Sequence, residues 1–409
     1  MDDTLSYCET VIIGAGASGV FAAISEKLHH PKHSIAIFEK TTKSLAKVKI
    51  SGGGRCNVTH ACFDPKELCS FYPRGKHQLV NSFFQFYTED IIHWFESKNV
   101  KLKTEEDGRI FPVSNQSQTI IDCFMKQLTE DQTKIRFQYE LNKIQLQNNQ
   151  FELQFSNQRK ILCTKLILSC GGYPKLSQYH FLQELGIAIQ TPVASLFTFN
   201  IPNSEFRGLE GISVESVEIK TNLSKQSNTG PLLFTHWGLS GPGVIKLSSI
   251  LARELAEANY SYEVVLNFLP AQKENDFFES LKIQKQKQAK SKLKQILPNS
   301  LATRLKTRLL ELIKLDGEKN LADCSFDELR QLCSILFECR LKCNGKTSFK
   351  EEFVICGGVD LSEINLKTME SKKIHNLFFT GEMMDVDGFT GGFNFQHAWT
   401  SAWIAGKQG

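Results

Sequence analysis

Thr10-Val-Ile-Ile-Gly-Ala-Gly-Ala-Ser-Gly-Val-Phe-Ala-Ala-Ile-Ser25 decides the fold. Its first four residues are β-branched and apolar and stop at a glycine, after which apolar residues recur at helical spacing to about Leu28. That order reads strand, turn, helix. Gly14, Gly16 and Gly19 stand in G-x-G-x-x-G spacing at the turn. Gly14 permits the tight turn, Gly16 lets a pyrophosphate approach the backbone, and Gly19 lets helix and strand pack closely, while the helix start at Ala17 and Ser18 faces the phosphates. A second strand, Ser34 to Phe38, ends at Glu39, twenty residues past Gly19, where a carboxylate can accept ribose hydroxyls. Strand, glycines, helix, strand and acid in register predict a dinucleotide site in a parallel α/β sheet.

Two other segments favour FAD over a nicotinamide, because FAD is long and needs contacts far apart in sequence. Ser51-Gly-Gly-Gly-Arg-Cys-Asn-Val-Thr59 offers exposed backbone at Gly53 and Gly54, with Arg55 and Asn57 as polar partners for the pyrophosphate or the ring edge. Near the other chain end, Gly381-Glu382 follows the strand Leu377 to Thr380, and Glu382 can bond a ribityl hydroxyl. Asp385-Val-Asp-Gly-Phe-Thr-Gly-Gly-Phe-Asn-Phe-Gln396 then runs into the last helix, about Gly392 to Ala405. Its N–H groups at Gly392 to Asn394 can stabilise negative charge on a reduced flavin, with Gly391 a further expected cofactor contact, and Thr390 is the alternative, a plain helix cap.

The remaining texture divides the chain. Ile135 to Leu146 and Phe151 to Phe155 alternate as a small antiparallel layer before a parallel strand at Lys165 to Leu168. Past Pro192 a β-rich module follows, with strands at Ser195 to Ile201, Val214 to Lys220 and Tyr262 to Leu269. Asn275 to Asn344 reads as helical, with a capping box at Ser325 and Glu328. The expected domains are 1–191 and 346–409 for the FAD-binding part, 192–272 for a β-rich substrate domain and 273–345 for a helical domain, with buried strands returning from Phe353. At 409 residues more than one core is expected.

Twelve cysteines without C-x-x-C pairs read as reduced packing residues. Cys324, Cys333, Cys339 and Cys343 match no zinc spacing, so no metal is expected. No run of about eighteen apolar residues occurs, and Met1-Asp2-Asp3 lacks the character of a signal peptide, so no membrane contact and a cytoplasmic location are expected. Between Lys282 and Lys314, ten Lys or Arg stand against Glu311 alone, a net +9 in a chain of +4.

The GGGRCNVT and GEMMDVDGFTGGFNFQHAW segments, with the opening βαβ, resemble the BaiN/YhiN-like family of bacterial FAD-dependent oxidoreductases. Gly108 to Pro112, Leu168 to Gly172 and Phe234 to Pro242 extend the resemblance over nearly the whole chain. It implies an α/β, glutathione-reductase-like Rossmann domain with an inserted β-barrel-like domain and a small helical one. It adds Lys40, Cys56, Leu141 (through its backbone), Gly171, Asp387 and Phe393 to the expected noncovalent FAD contacts. His60 and the stretch Tyr173 to His180 depart from the family pattern.

The expected chemistry is hydride transfer between the flavin, reduced by NADH or NADPH as a transient visitor, and a small organic substrate. Asn57, Asp387, Asn394 and His236 are the catalytic candidates, with Thr390 and Gln396 as further helpers and His236 as a proton donor. The alternative is reduction of a uridine in ribosomal RNA held by the basic segment 282–314. A dithiol mechanism through Cys56 and Cys62 is disfavoured by their C-x5-C spacing and by the lack of a second dinucleotide motif, and a vestigial binding module by the retention of all the distant flavin elements.

Overall fold

A computed structural model describes residues 5–202, 205–346 and 354–409, so Met1-Asp2-Asp3 and Phe353 lie outside the described residues. The chain forms two compact units, Met1–Val193 with Val354–Gly409, and Ala194–Phe353.

In the first unit five parallel strands stand in the order Leu377–Phe379, Lys160–Leu168, Tyr7–Ile13, Ile35–Glu39 and Lys134–Phe137. Ile13 pairs with Phe38 and Leu168, and Leu168 with Phe379, so these four form one row across the sheet. The residues just past that row, Gly14, Glu39, Ser169 and Thr380, therefore line the carboxyl edge, where open α/β sheets bind their ligands. Ile135 to Phe137 belongs to this parallel sheet and not to the antiparallel layer expected from its alternation. An edge strand with one half-exposed face carries the same period of two. Leu141–Gln147 and Gln150–Phe155 do form an antiparallel hairpin on Lys160–Leu168.

Two helices from opposite chain ends meet over the sheet. Ala17–His29 and Phe393–Lys407 approach so closely that a Cβ on Gly406 would lie 2.6 Å from that of Ser25. Ser25 Oγ donates to the Trp403 carbonyl, and Phe21 packs against both Trp399 and Trp403. At the far end of the first helix, buried Glu26 accepts from Thr10 Oγ1 at 2.8 Å and pairs with Lys165 at 2.5 Å, tying helix to sheet. Such a pair fixes orientation more than it adds net stability.

In the second unit six strands run Phe199–Asn200, Gly238–Ser240, Ser224–Phe234, Ser213–Thr221, Ser261–Asn267 and Cys339–Asn344. A bridge between Phe199 and Lys346 joins the first strand to the end of the last, closing a barrel. Cys339, Leu341 and Cys343 alternate inward along a segment expected to be helical; six residues are too short for period alone to separate the two readings. The helices Glu274–Lys287, Thr303–Leu312 and Phe326–Phe337 share one apolar core with the barrel. The Ser325–Glu328 capping box is formed, with Ser325 N donating to Glu328 Oε2 at 2.7 Å.

Candidate functional site

The three glycines of the opening turn have three different physical reasons. A Cβ on Gly14, whose φ is +105°, would lie 2.3 Å from the Ser169 carbonyl oxygen, and one on Gly19 would lie 1.9 Å from that of Gly14. One on Gly16 would meet nothing within 4 Å. Gly14 and Gly19 are thus required by the fold, and Gly16 borders open space. The helix that starts at Ala17 has no side-chain cap, which leaves its first N–H groups to serve an anion. Glu39 accepts from Ala15 N and from Thr41 N, both at 2.9 Å, so its carboxylate is fixed with acceptor capacity remaining on each oxygen. Tyr139 N donates to the Glu39 carbonyl, which brings buried Leu141 to the same end of the sheet. Lys40 lies over the Tyr173 ring, 4.9 Å from its centroid.

The segment Ala46–Gly54 starts as a helix and leaves it at Ser51, and Gly52, Gly53 and Gly54 all take left-handed backbone. Such a run is open to glycine and strained for other residues. A Cβ on Gly53 or Gly54 would meet nothing, leaving an exposed cradle. Arg55 does not reach out from it: its guanidinium stacks on Phe111 at 3.9 Å and pairs with Glu105 at 2.6 Å. Cys56 is buried, so its contact to a cofactor would run through the backbone.

This loop carries the closing loop on its back. Thr59 Oγ1 donates to Gln396 Oε1 at 2.6 Å, His60 Nδ1 meets the Gly391 carbonyl at 3.1 Å, and Trp399 Nε1 donates to the Val58 carbonyl at 2.9 Å. Gly392, at φ +97°, is pressed against the Thr59 backbone and is itself the N-cap of the last helix. That helix has no side-chain cap, and exposed Thr390 does not supply one. Phe393 stacks on Phe71 with ring centroids 4.3 Å apart, so it too would offer backbone to a ligand. Gly381, at φ +60°, lies against Ser18, where a Cβ would come within 2.7 Å of Ser18 Oγ. Glu382 pairs with Lys47 at 2.6 Å and faces Gly171.

The catalytic candidates receive distinct placements. Asp387 is fully buried and paired in a two-pronged contact with Arg74, a partner that sequence spacing gave no means to find. Asn394 holds Gly388 through both its amide groups, at 2.8 and 2.9 Å, closing the Gly388–Asn394 turn. Gln396 is spent on Thr59 and Thr400. These three shape the loop. Asn57 is different: it is buried, and its Oδ1 has no hydrogen-bond partner. His397, absent from the sequence expectations, is also buried and makes no hydrogen bond through either ring nitrogen. Burial pushes its pKa down to about 4, against the opposing pull of the Gly381 backbone and the Glu382 charge, so the ring is neutral. Only its place one residue past Gln396 could have drawn attention to it. His236 belongs to the second unit, where its ring is largely exposed, 3.9 Å from Glu210.

Unmet polar atoms at Asn57 and His397, uncapped helix starts at Ala17 and Phe393, and open space over Gly16, Gly53 and Gly54 suit a long ligand with phosphates and a polar ring edge. FAD fits this set. The thiols do not suit redox chemistry of their own, since burial raises Cys56 to about 12 and Cys62 to about 11. No helix among the described residues is long and apolar enough to cross a membrane.

Residues 8–408 match the family described as HI0933-like protein Rossmann domain. The chain is 30% identical to the ribosomal RNA dihydrouridine synthase of Escherichia coli (strain K12), covering 98% of this chain and 97% of that protein. Against the protein of the same description from Haemophilus influenzae the identity is also 30%, covering 97% of each. A 3-dehydro-bile acid delta(4,6)-reductase of Clostridium scindens is 25% identical, again covering 97% of each. Among solved structures, a 3-ketosteroid-delta4-(5alpha)-dehydrogenase from Rhodococcus jostii RHA1 shares the fold, with a TM-score of 0.50 at 10% identity, covering 98% of this chain and 97% of that one. The chain belongs to the HI0933-like Rossmann family and is an FAD-dependent oxidoreductase.

Proposed function

From that membership, we propose that this enzyme reduces the C5–C6 double bond of a uridine in ribosomal RNA, with NADH or NADPH as the transient reductant. The observation that carries the reading is the end-to-end likeness, at 30% identity, to two proteins described as ribosomal RNA dihydrouridine synthases. The +9 window at 282–314 supports a polyanionic partner. The C. scindens relative supports a second reading, reduction of a small conjugated ketone. Both readings share one reaction type, addition of hydride and a proton across a double bond polarised by a carbonyl.

Bound FAD supplies the hydride chemistry. In this reading Glu39 holds the adenosine ribose, while Ala17 and Ser18 offer N–H groups to the pyrophosphate. Glu382 serves the ribityl chain, with Lys47 balancing its charge. Gly391 to Asn394 present the positive end of the last helix to the ring edge, held at that point by Thr59, His60 and Asn394. Asn57 and neutral His397 satisfy their buried polar atoms on the cofactor. His236 is the candidate donor of the proton that balances the hydride.

Anaerobic reduction of the bound flavin by NADH or NADPH, followed by reoxidation with deproteinised ribosomal RNA or with a conjugated ketosteroid, tests the proposal. Reoxidation by RNA with appearance of dihydrouridine supports it. Reoxidation by the ketone alone replaces it with the second reading.

A further inference from the structure

Three consecutive carbonyls at the start of the last helix are held from behind, each by a different donor. Gly391 O meets His60 Nδ1 at 3.1 Å, Gly392 O accepts from Gln396 N at 2.9 Å, and Phe393 O accepts from Tyr72 Oη at 2.6 Å. A carbonyl oxygen only accepts, so Nδ1 of His60 carries the ring proton. Burial raises the pKa of Tyr72 well above its ordinary value, so the hydroxyl keeps the proton it donates. The middle bond is the helix's own. The outer two come from 331 and 321 residues away in sequence.

Both distant donors are firmly seated. His60 ends the short strand Thr59–His60, paired with Arg109–Pro112, and its ring packs on that of Phe393 with centroids 4.6 Å apart. A Cβ on Gly391 would lie 3.3 Å from Nδ1 and one on Gly108 2.6 Å from Nε2, so the ring is confined at both edges. Tyr72 is fully buried against Phe83 and Phe393. Beside it, Phe389 N donates to the Phe71 carbonyl at 2.9 Å, which pins the same loop. In a trans peptide the carbonyl of one residue and the N–H of the next point in opposite directions. Fixing the carbonyls of Gly391, Gly392 and Phe393 therefore aims the N–H groups of Gly392, Phe393 and Asn394 away from the donors that hold them. No side chain caps these groups. Donors aimed in advance at developing charge cost no reorganisation during the reaction.

We infer that His60 and Tyr72 are positioning residues for the flavin: by clamping the Gly391 and Phe393 carbonyls they hold the following N–H groups on the ring edge and favour the reduced, negatively charged cofactor. The inference rests on the reading that Gly391 to Asn394 meet that edge, and it does not depend on the substrate. Its test compares the midpoint potential of bound flavin in the wild type, Tyr72→Phe, His60→Phe and His60→Asn. Read from protein-bound flavin, the potential reports only on folded enzyme. His60→Phe keeps a ring against Phe393 and removes the donor, whereas His60→Asn gives up the ring and keeps an N–H near the place of Nδ1. Tyr72→Phe and His60→Phe are each expected to weaken binding of reduced relative to oxidised FAD roughly tenfold, a potential about 30 mV more negative; outright removal of such a donor costs roughly 100-fold or more. His60→Asn is expected to stay near the wild type. The reverse order, with His60→Asn shifted and His60→Phe unchanged, marks a packing role and overturns the inference. Hydrogen exchange of segment 388–396 with and without FAD checks the placement. Exchange slowed by FAD in the wild type, together with wild-type potentials in Tyr72→Phe and His60→Phe, overturns the clamps and leaves the cofactor placement standing. FAD that binds without slowing exchange there overturns both.

Discussion

The carboxylate of Asp387 meets the guanidinium of Arg74 in a two-pronged contact, and neither group is free to act on a substrate. Burial opposes the charge on Arg74, and the Asp387 carboxylate outweighs it, raising the pKa of Arg74. Asp387→Asn is expected to lower stability by about 3 kcal/mol, since it leaves a buried cation beside a neutral partner. Urea denaturation of the variant measures this. An activity loss with unchanged stability would return Asp387 to the catalytic group.

Gly16 and Gly19 separate cofactor binding from folding. Gly16→Ala places its methyl in open space, so the apoprotein keeps its melting temperature while FAD affinity falls at least about tenfold, as the methyl takes the room of a phosphate. Gly19→Ala drives a methyl into the Gly14 carbonyl and is expected to lower stability by about 1–3 kcal/mol or more. Calorimetry of the apo forms and fluorescence titration with FAD distinguish the two.

His397 gives the apoprotein a pH signature. Its folded pKa is about 4, below the ordinary histidine value near 6.5, so the unfolded chain takes up the proton first as pH falls. Its contribution is fully present above about pH 6.5 and is lost progressively down to about pH 4, on the order of 3 kcal/mol in all. A His397→Phe variant should lack that part of the pH dependence and bind FAD more weakly. Denaturation midpoints at pH 7 and pH 4.5 give the comparison.

Cys56 and Cys62 should behave as packing residues. Burial raises both thiols well above neutral pH, so alkylation of the native enzyme at pH 7.5 should be slow, and oxidised and reduced enzyme should titrate with equal numbers of thiols. Two extra thiols on reduction would restore the dithiol mechanism.

The opening strand, glycine turn and acid are legible because each obeys a local rule: Gly14 turns the chain at the strand end with positive φ, Gly19 answers a clash with Gly14 five residues back, and Glu39 ends its strand. The two distant loops stand out in the sequence by their glycines, but not as partners of one another. That Thr59 holds Gln396, or that Asn394 closes on Gly388, depends on backbone meeting across hundreds of residues or around a turn, which spacing does not encode. The same limit hid Arg74 behind Asp387 and made Arg55 read as a ligand when it stacks on Phe111. In the second unit the alternation of Cys339 to Asn344 is brief and follows a long helical stretch, so it carries little strand signal of its own. A histidine in an apolar helix gives no signal in the sequence, and it is the burial of both unmet ring nitrogens that sets His397 apart.

The seating of the last helix against the first, with Gly406 beside Ser25, has a consequence for the order of synthesis. The strand Leu377–Phe379 and the loop to Asn394 follow the whole second unit along the chain, so while that unit is made the growing chain carries half of the candidate site and lacks the parallel neighbour of Leu166–Leu168. A cofactor that reaches both chain segments can therefore be held in full only once the helix Phe393–Lys407 has docked on Ala17–His29.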